Sequence, residues 1–104
     1  LDDERSERLN TKDKNRQIPC FVRKARSELF KAKTDKKPLL TVEAFQHAVE
    51  GRVAARDHWL GKLSVLTEDS ITDVFNQVPS SCISDSARRF ATLMVMENRR
   101  RLLE

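Results

Sequence analysis

Tyrosine is absent from this 104-residue chain, and the other aromatics are few: five Phe and one Trp. Two Gly and three Pro are too few for an all-β fold, whose many tight turns draw on those residues. Two Cys, at positions 20 and 82, supply neither a disulfide framework nor the four ligands of a structural zinc site, so a reducing, cytoplasmic setting is expected. No apolar run approaches the ~20 residues of a membrane span. No N-terminal segment joins a basic stretch to an apolar one, as a signal peptide does. The expectation is no membrane partner.

What the chain has is charge. Asp, Glu, Lys and Arg make up 35% of residues against 38% apolar, with a net charge of +4. The charge is uneven. Residues 1–40 carry 12 basic and 7 acidic side chains, and residues 41–104 carry 8 and 9. The excess is densest over 16–37, where Arg16, Arg23, Lys24, Arg26, Lys31, Lys33, Lys36 and Lys37 face only Glu28 and Asp35. Such a patch attracts phosphates or an acidic protein surface, and otherwise it is a solvated helix face.

Residues 1–17 contain only Leu1 and Leu9 as apolar side chains, too little for a core. They read as a polar tail or strap. Together with a first residue that is Leu rather than Met, this points to support from a larger chain or a partner. Residues 18–40 read as a basic amphipathic helix, 18–33, and a loop, 34–40. Pro19 sits in the first turn, and Ile18, Val22, Ala25 and Leu29 form one stripe. Pro38 disfavours helix at Lys37. Residues 41–104 read as a core of about three helices. Thr41 is the expected cap of a helix running about 42 to 63, with Gly51 at a close helix contact and Gly61 at a kink or premature end. Thr67 caps the next helix, with Ile71, Val74, Phe75 and Val78 on one face and Pro79 ending it. Ser84 caps the last. Phe90, Leu93, Met94, Val95 and Met96 make that helix apolar over more than one face, as a central helix should be. Asp85 with Arg89, and Glu97 with Arg101, have the spacing of ion pairs. The expected fold is all-α, a small bundle of four to five helices.

Candidate chemistry is sparse. His47 and His58 are eleven residues apart, ~16 Å along one helix, too far to share an ion. Glu43, His47 and Glu50 share a face, but no second helix offers ligands at matching spacing, so no metal or cofactor is expected. Cys20, at a helix start, reads as a packed side chain, with a dipole-activated thiol as the alternative. Cys82 is expected to be buried under the loop before the last helix. Trp59, beside Leu60 and Leu63, reads as core rather than as a base-stacking platform. Asp57 and His58 are adjacent and point apart. No Gly-rich phosphate loop and no Gly-x-Ser-x-Gly occurs, so no catalytic residue is assigned and the chain is not expected to be an enzyme. The segment from Thr67 to Arg89 outlines a helix–turn–helix, but its connector is too long and Asp85 sits at the reading end.

One ordered set of segments looks familiar: 51–60 (Gly-Arg-Val-Ala-Ala-Arg-Asp-His-Trp-Leu), 74–79 (Val-Phe-Asn-Gln-Val-Pro), 86–91 (Ser-Ala-Arg-Arg-Phe-Ala) and 98–103 (Asn-Arg-Arg-Arg-Leu-Leu). Over 51–104 the chain resembles the helical C-terminal end of bacterial HipA-like serine/threonine kinase proteins, some of which are toxins of toxin–antitoxin pairs. The resemblance implies a non-catalytic end piece, because the family's catalytic-loop His-x-Asp and its Asp-Phe-Gly-like metal site have no counterpart here. The expected function is therefore a non-catalytic helical interaction module of a larger bacterial protein or complex. The alternative is an accessory nucleic-acid-binding domain that uses the eight basic residues of 16–37.

Overall fold

Six helices form among residues 2–104, the residues described by the computed structural model; Leu1 lies outside them. They are α1 (Asp2–Asn10), α2 (Ile18–Lys24), α3 (Thr41–Ala48), α4 (Val53–Ser64), α5 (Glu68–Asn76) and α6 (Asp85–Leu103). The chain is all-α, and its one β-type feature among the described residues is an isolated antiparallel bridge between Arg26 and Leu40. Each of the other five helices packs against α6.

The central position of α6 follows from its side chains. An apolar surface spread around a helix needs cover on more than one side. All but three of its nineteen residues are partly or fully covered. Ile18, Cys20 and Val22 of α2, Ile71 of α5 and Thr92 of α6 are the buried positions. Burying an aliphatic side chain of this size contributes ~1.5–3 kcal/mol. Phe21 and Phe90 meet edge to face at 5.5 Å between ring centroids, a geometry that adds ~0.5–1.5 kcal/mol to their burial.

Five sequence expectations are refined or changed, the first being the polar strap 1–17, for which the sequence left helix and extended chain open. The polar segment 1–17 contains a helix. Ser6 of α1 bonds to Ser86 of α6 at 2.8 Å, and the Arg8 guanidinium lies 4.7 Å from the Phe21 ring centroid. An amphipathic surface of serine, arginine and hydrocarbon stems substitutes for the missing apolar stripe. Second, the helix expected over 18–33 stops at Lys24. The Ser27 hydroxyl takes the Leu39 carbonyl at 2.9 Å and accepts from the Leu29 amide at 3.1 Å, competing with helical hydrogen bonds. Backbone bonds from Ser27 to Leu39, Leu39 to Leu29 and Thr41 to Ala25 then close residues 25–41 into a hairpin-like clip.

Third, the helix expected over 42–63 is two helices. Gly51 takes a left-handed φ of 72° between them, and Gly61 does not end α4, which continues to Ser64. Fourth, Thr41 is the first helical residue rather than the cap. Glu43 reaches back to accept from the Leu40 amide at 3.1 Å, so Leu40 holds the cap position. Fifth, the ion pairs of α6 are re-sorted. Arg89 pairs with Glu68 of α5 at 3.0 Å, and Glu97 pairs with Arg100 at 2.7 Å. The two remaining caps form as expected: the Thr67 hydroxyl accepts from the Ser70 amide at 3.1 Å, and the Ser84 hydroxyl from the Ala87 amide at 3.1 Å.

The two glycines predict opposite responses. A Cβ at either position meets nothing within 4 Å, so backbone conformation decides. Gly61→Ala should stabilise the chain by ~0.5–1 kcal/mol. Gly51→Ala should destabilise it by ~1 kcal/mol or more, because an L side chain disfavours positive φ. Urea unfolding followed by circular dichroism measures both. Equal signs would contradict the helix break at Gly51.

Candidate interaction site

The eight basic residues of 16–37 separate into two groups. Arg16 is paired with Glu7 of α1. The hydrogen bond to Glu7, and then that carboxylate's negative charge, raises the Arg16 pKa further above the usual value. Arg23 donates to the Cys20 sulfur at 3.5 Å, and Arg26 donates to the Pro38 carbonyl at 2.7 Å, closing the clip. Lys24, Lys31, Lys33, Lys36 and Lys37 are exposed and make no ion pair among the described residues. The last four stand at the clip's tip. There Asp35 turns inward to accept from the Ala32 amide at 3.1 Å. Leu29 and Phe30 flank the lysines and are 61% and 51% exposed, so the outer half of the expected helix stripe faces solvent.

A second surface lies between α3, α4 and the end of α6. An open groove of about 630 Å³ is floored by Val42, Phe45, Val49, Val53, Leu60 and Leu102, and rimmed by Glu50, Arg56, Asp57 and Glu104. α4 buries none of its residues fully, and Trp59 is 60% exposed with the His58 ring edge-on at 5.1 Å. The expectation that Trp59 is core is therefore corrected. The signal was in the spacing. Trp59 lies six residues after Val53, about 240° around the helix, so the two cannot share the face that carries Leu60. Val65, Leu66 and Val74 are further exposed apolar side chains.

The residues considered for chemistry do not converge. Glu43 is engaged by the Leu40 amide, leaving His47 Nδ1 and Glu50 Oε2 3.6 Å apart on an exposed face. No group of three or more His, Cys, Asp or Glu side chains converges among the described residues. Cys20 is buried. Cys82 is exposed rather than buried, because its loop follows the surface instead of folding beneath it. No protein-family model, curated protein or solved structure matches this chain.

Two carboxyls sit below their usual pKa. The Ser84 hydroxyl and then the Arg5 guanidinium hold Asp2 below 3.8, and Arg100 chiefly holds Glu97 below 4.5. The folded chain therefore binds fewer protons at these groups than the unfolded chain in acid. Their contribution should be complete above about pH 5 and should disappear as pH falls through the lowered folded values. In acid titrations read by circular dichroism, Asp2→Asn and Glu97→Gln should be less stable than the parent at pH 7. Both should converge on it as pH falls through the lowered folded values. A pH-independent difference would contradict the assignment.

Proposed function

We propose that the chain is a non-catalytic helical interaction module of a larger bacterial protein or complex, and that the groove between α3, α4 and the end of α6 receives apolar side chains of a protein partner. The observation that carries this reading is unburied surface. The accessible area is 7801 Å², whereas a self-contained monomer of 12.0 kDa exposes about 6000 Å². The excess is larger than the ~800 Å² that one partner contributes to a standard interface. The radius of gyration, 15.7 Å, likewise exceeds the about 13 Å of a compact domain of this length. The excess is apolar where it matters: Val53 opens into the groove, with Trp59 elsewhere on the same helix. The resemblance of 51–104 to the helical end of HipA-like kinases supports the same reading. Phosphate contact by the lysines of 16–37 is the second reading, favoured by their lack of ion-pair partners.

The groove predicts a contrast between two exposed valines. Val53→Arg should abolish co-purification of a bacterial partner and Val74→Arg, outside the groove, should not. Both should leave unfolding free energy within ~0.5 kcal/mol of the parent. A parent chain that co-purifies with nothing, or a partner retained equally by both variants, would overturn the reading.

A further inference from the structure

The tip of the 25–41 clip combines two features that a solvated loop does not need together. Residues 28–37 form an unbroken exposed run. Within it, four lysines that make no ion pair stand against two acids, Glu28 and Asp35, and Asp35 is committed to the turn through the Ala32 amide, so the run stays net positive. Beside them, two adjacent large apolar side chains, Leu29 and Phe30, are more than half exposed. The backbone that carries them is held. The Leu39 amide donates to the Leu29 carbonyl at 2.8 Å, and Arg26 ties the opposite limb through the Pro38 carbonyl at 2.7 Å. The pair is thus presented on a fixed base rather than on a free tail.

We propose that this tip docks on an anionic membrane surface, with Lys31, Lys33, Lys36 and Lys37 among the lipid phosphates and Leu29 and Phe30 in the acyl boundary. The charge is of the complementary sign, and juxtaposed lysines and apolar side chains divide the work of surface binding between electrostatics and burial. Lysine suits this position. Its hydrocarbon stem lies along apolar surface while its ammonium reaches the phosphates, and it makes no demand for the bidentate geometry in which arginine excels. The arginines nearest the tip, Arg23 and Arg26, are occupied by protein acceptors. A single-stranded nucleic acid would reward the lysines and one stacked ring, but it offers Leu29 nothing, whereas a bilayer rewards both apolar side chains. No helix among the described residues is long and apolar enough to cross a membrane, and surface docking requires none. The proposal departs from the sequence expectation of no membrane partner, which rested on the lack of a spanning run and of a signal-peptide pattern. The proposal does not depend on the α3–α4 groove.

The test is flotation of the full chain with phosphatidylcholine vesicles, with and without phosphatidylserine, across a salt series. The expected result is binding to the phosphatidylserine vesicles alone, weakening as salt rises. Lys33→Glu/Lys36→Glu/Lys37→Glu should weaken it by at least about fivefold per lysine lost. Leu29→Ser/Phe30→Ser should weaken it at unchanged circular dichroism. The charge-matched variant Lys12→Glu/Lys14→Glu/Lys62→Glu should retain most of it. Equal loss in the charge-matched variant, indifference to phosphatidylserine, or no binding at low salt would overturn the proposal. So would tighter binding to a single-stranded oligonucleotide that depends on Phe30 but not on Leu29, which would place the tip on nucleic acid instead.

Discussion

Everything in this fold depends on covering α6. It is the longest helix, and apolar side chains interrupt its polar ones on every side. Without cover it would expose Phe90, Leu93, Met94, Val95 and Met96 to water. The other helices are seven to twelve residues long, at or below the length at which an isolated helix is marginal in water. They are stable as helices because α6 gives each of them a surface, and α6 is stable because five partners share it. This mutual dependence explains why no two outer helices need an extensive contact with one another.

Arginine does much of the work that aliphatic side chains do in larger cores. From α6, Arg88 donates to the Phe75 carbonyl and, at 2.6 Å, to the Val78 carbonyl. Arg99 donates to the Leu63 and Ser64 carbonyls at 3.2 and 2.7 Å. Each side chain thus donates to carbonyls at or just past the C-terminal end of a neighbouring helix, α5 in one case and α4 in the other, and places a cation at the negative end of its dipole. Hydrogen bonds to charged donors contribute ~1.5–3 kcal/mol, comparable to burying an aliphatic side chain. The arginines at the end of α6 do not simply complement their own helix dipole: Arg99 docks α4, and Arg100 is held by Glu97.

Local signals were legible in the sequence and non-local ones were not. The caps at Thr67 and Ser84 need only an acceptor and an amide three residues away, and the all-round apolar character of α6 is visible in its own residues. The all-α class follows from the same patterns and from the shortage of turn residues. The clip at 25–41 was illegible because its stability comes from Ser27 bonding to Leu39, twelve residues on, while the Ile18–Leu29 stripe argued for helix. The helix at α1 was illegible because its contacts are a serine pair and an arginine over a ring, neither of which has a hydrophobic period. Of the eight basic residues, composition could not separate those consumed by Glu7, Cys20 and Pro38 from the lysines left in water, since that division follows from the clip.

The same constraint accounts for the exposed surfaces. α6 presents a finite perimeter, and five helices and a clip compete for it. α2 and α5 reach it with buried aliphatic side chains, and α1 reaches it through polar and aromatic contacts. Near the C-terminal end of α6, Leu102 lines an open groove together with Phe45 of α3 and Leu60 of α4. Closing that groove from within would require α3 and α4 to approach each other. The left-handed turn at Gly51 sets their junction, and the Arg99 bonds to Leu63 and Ser64 fix the far end of α4. With both ends of α4 tied, the intervening apolar side chains cannot all turn inward. Val53, the first residue of α4, opens into that groove, while Trp59 lies off the face that carries Leu60, and burying either requires surface that α6 does not have left to give.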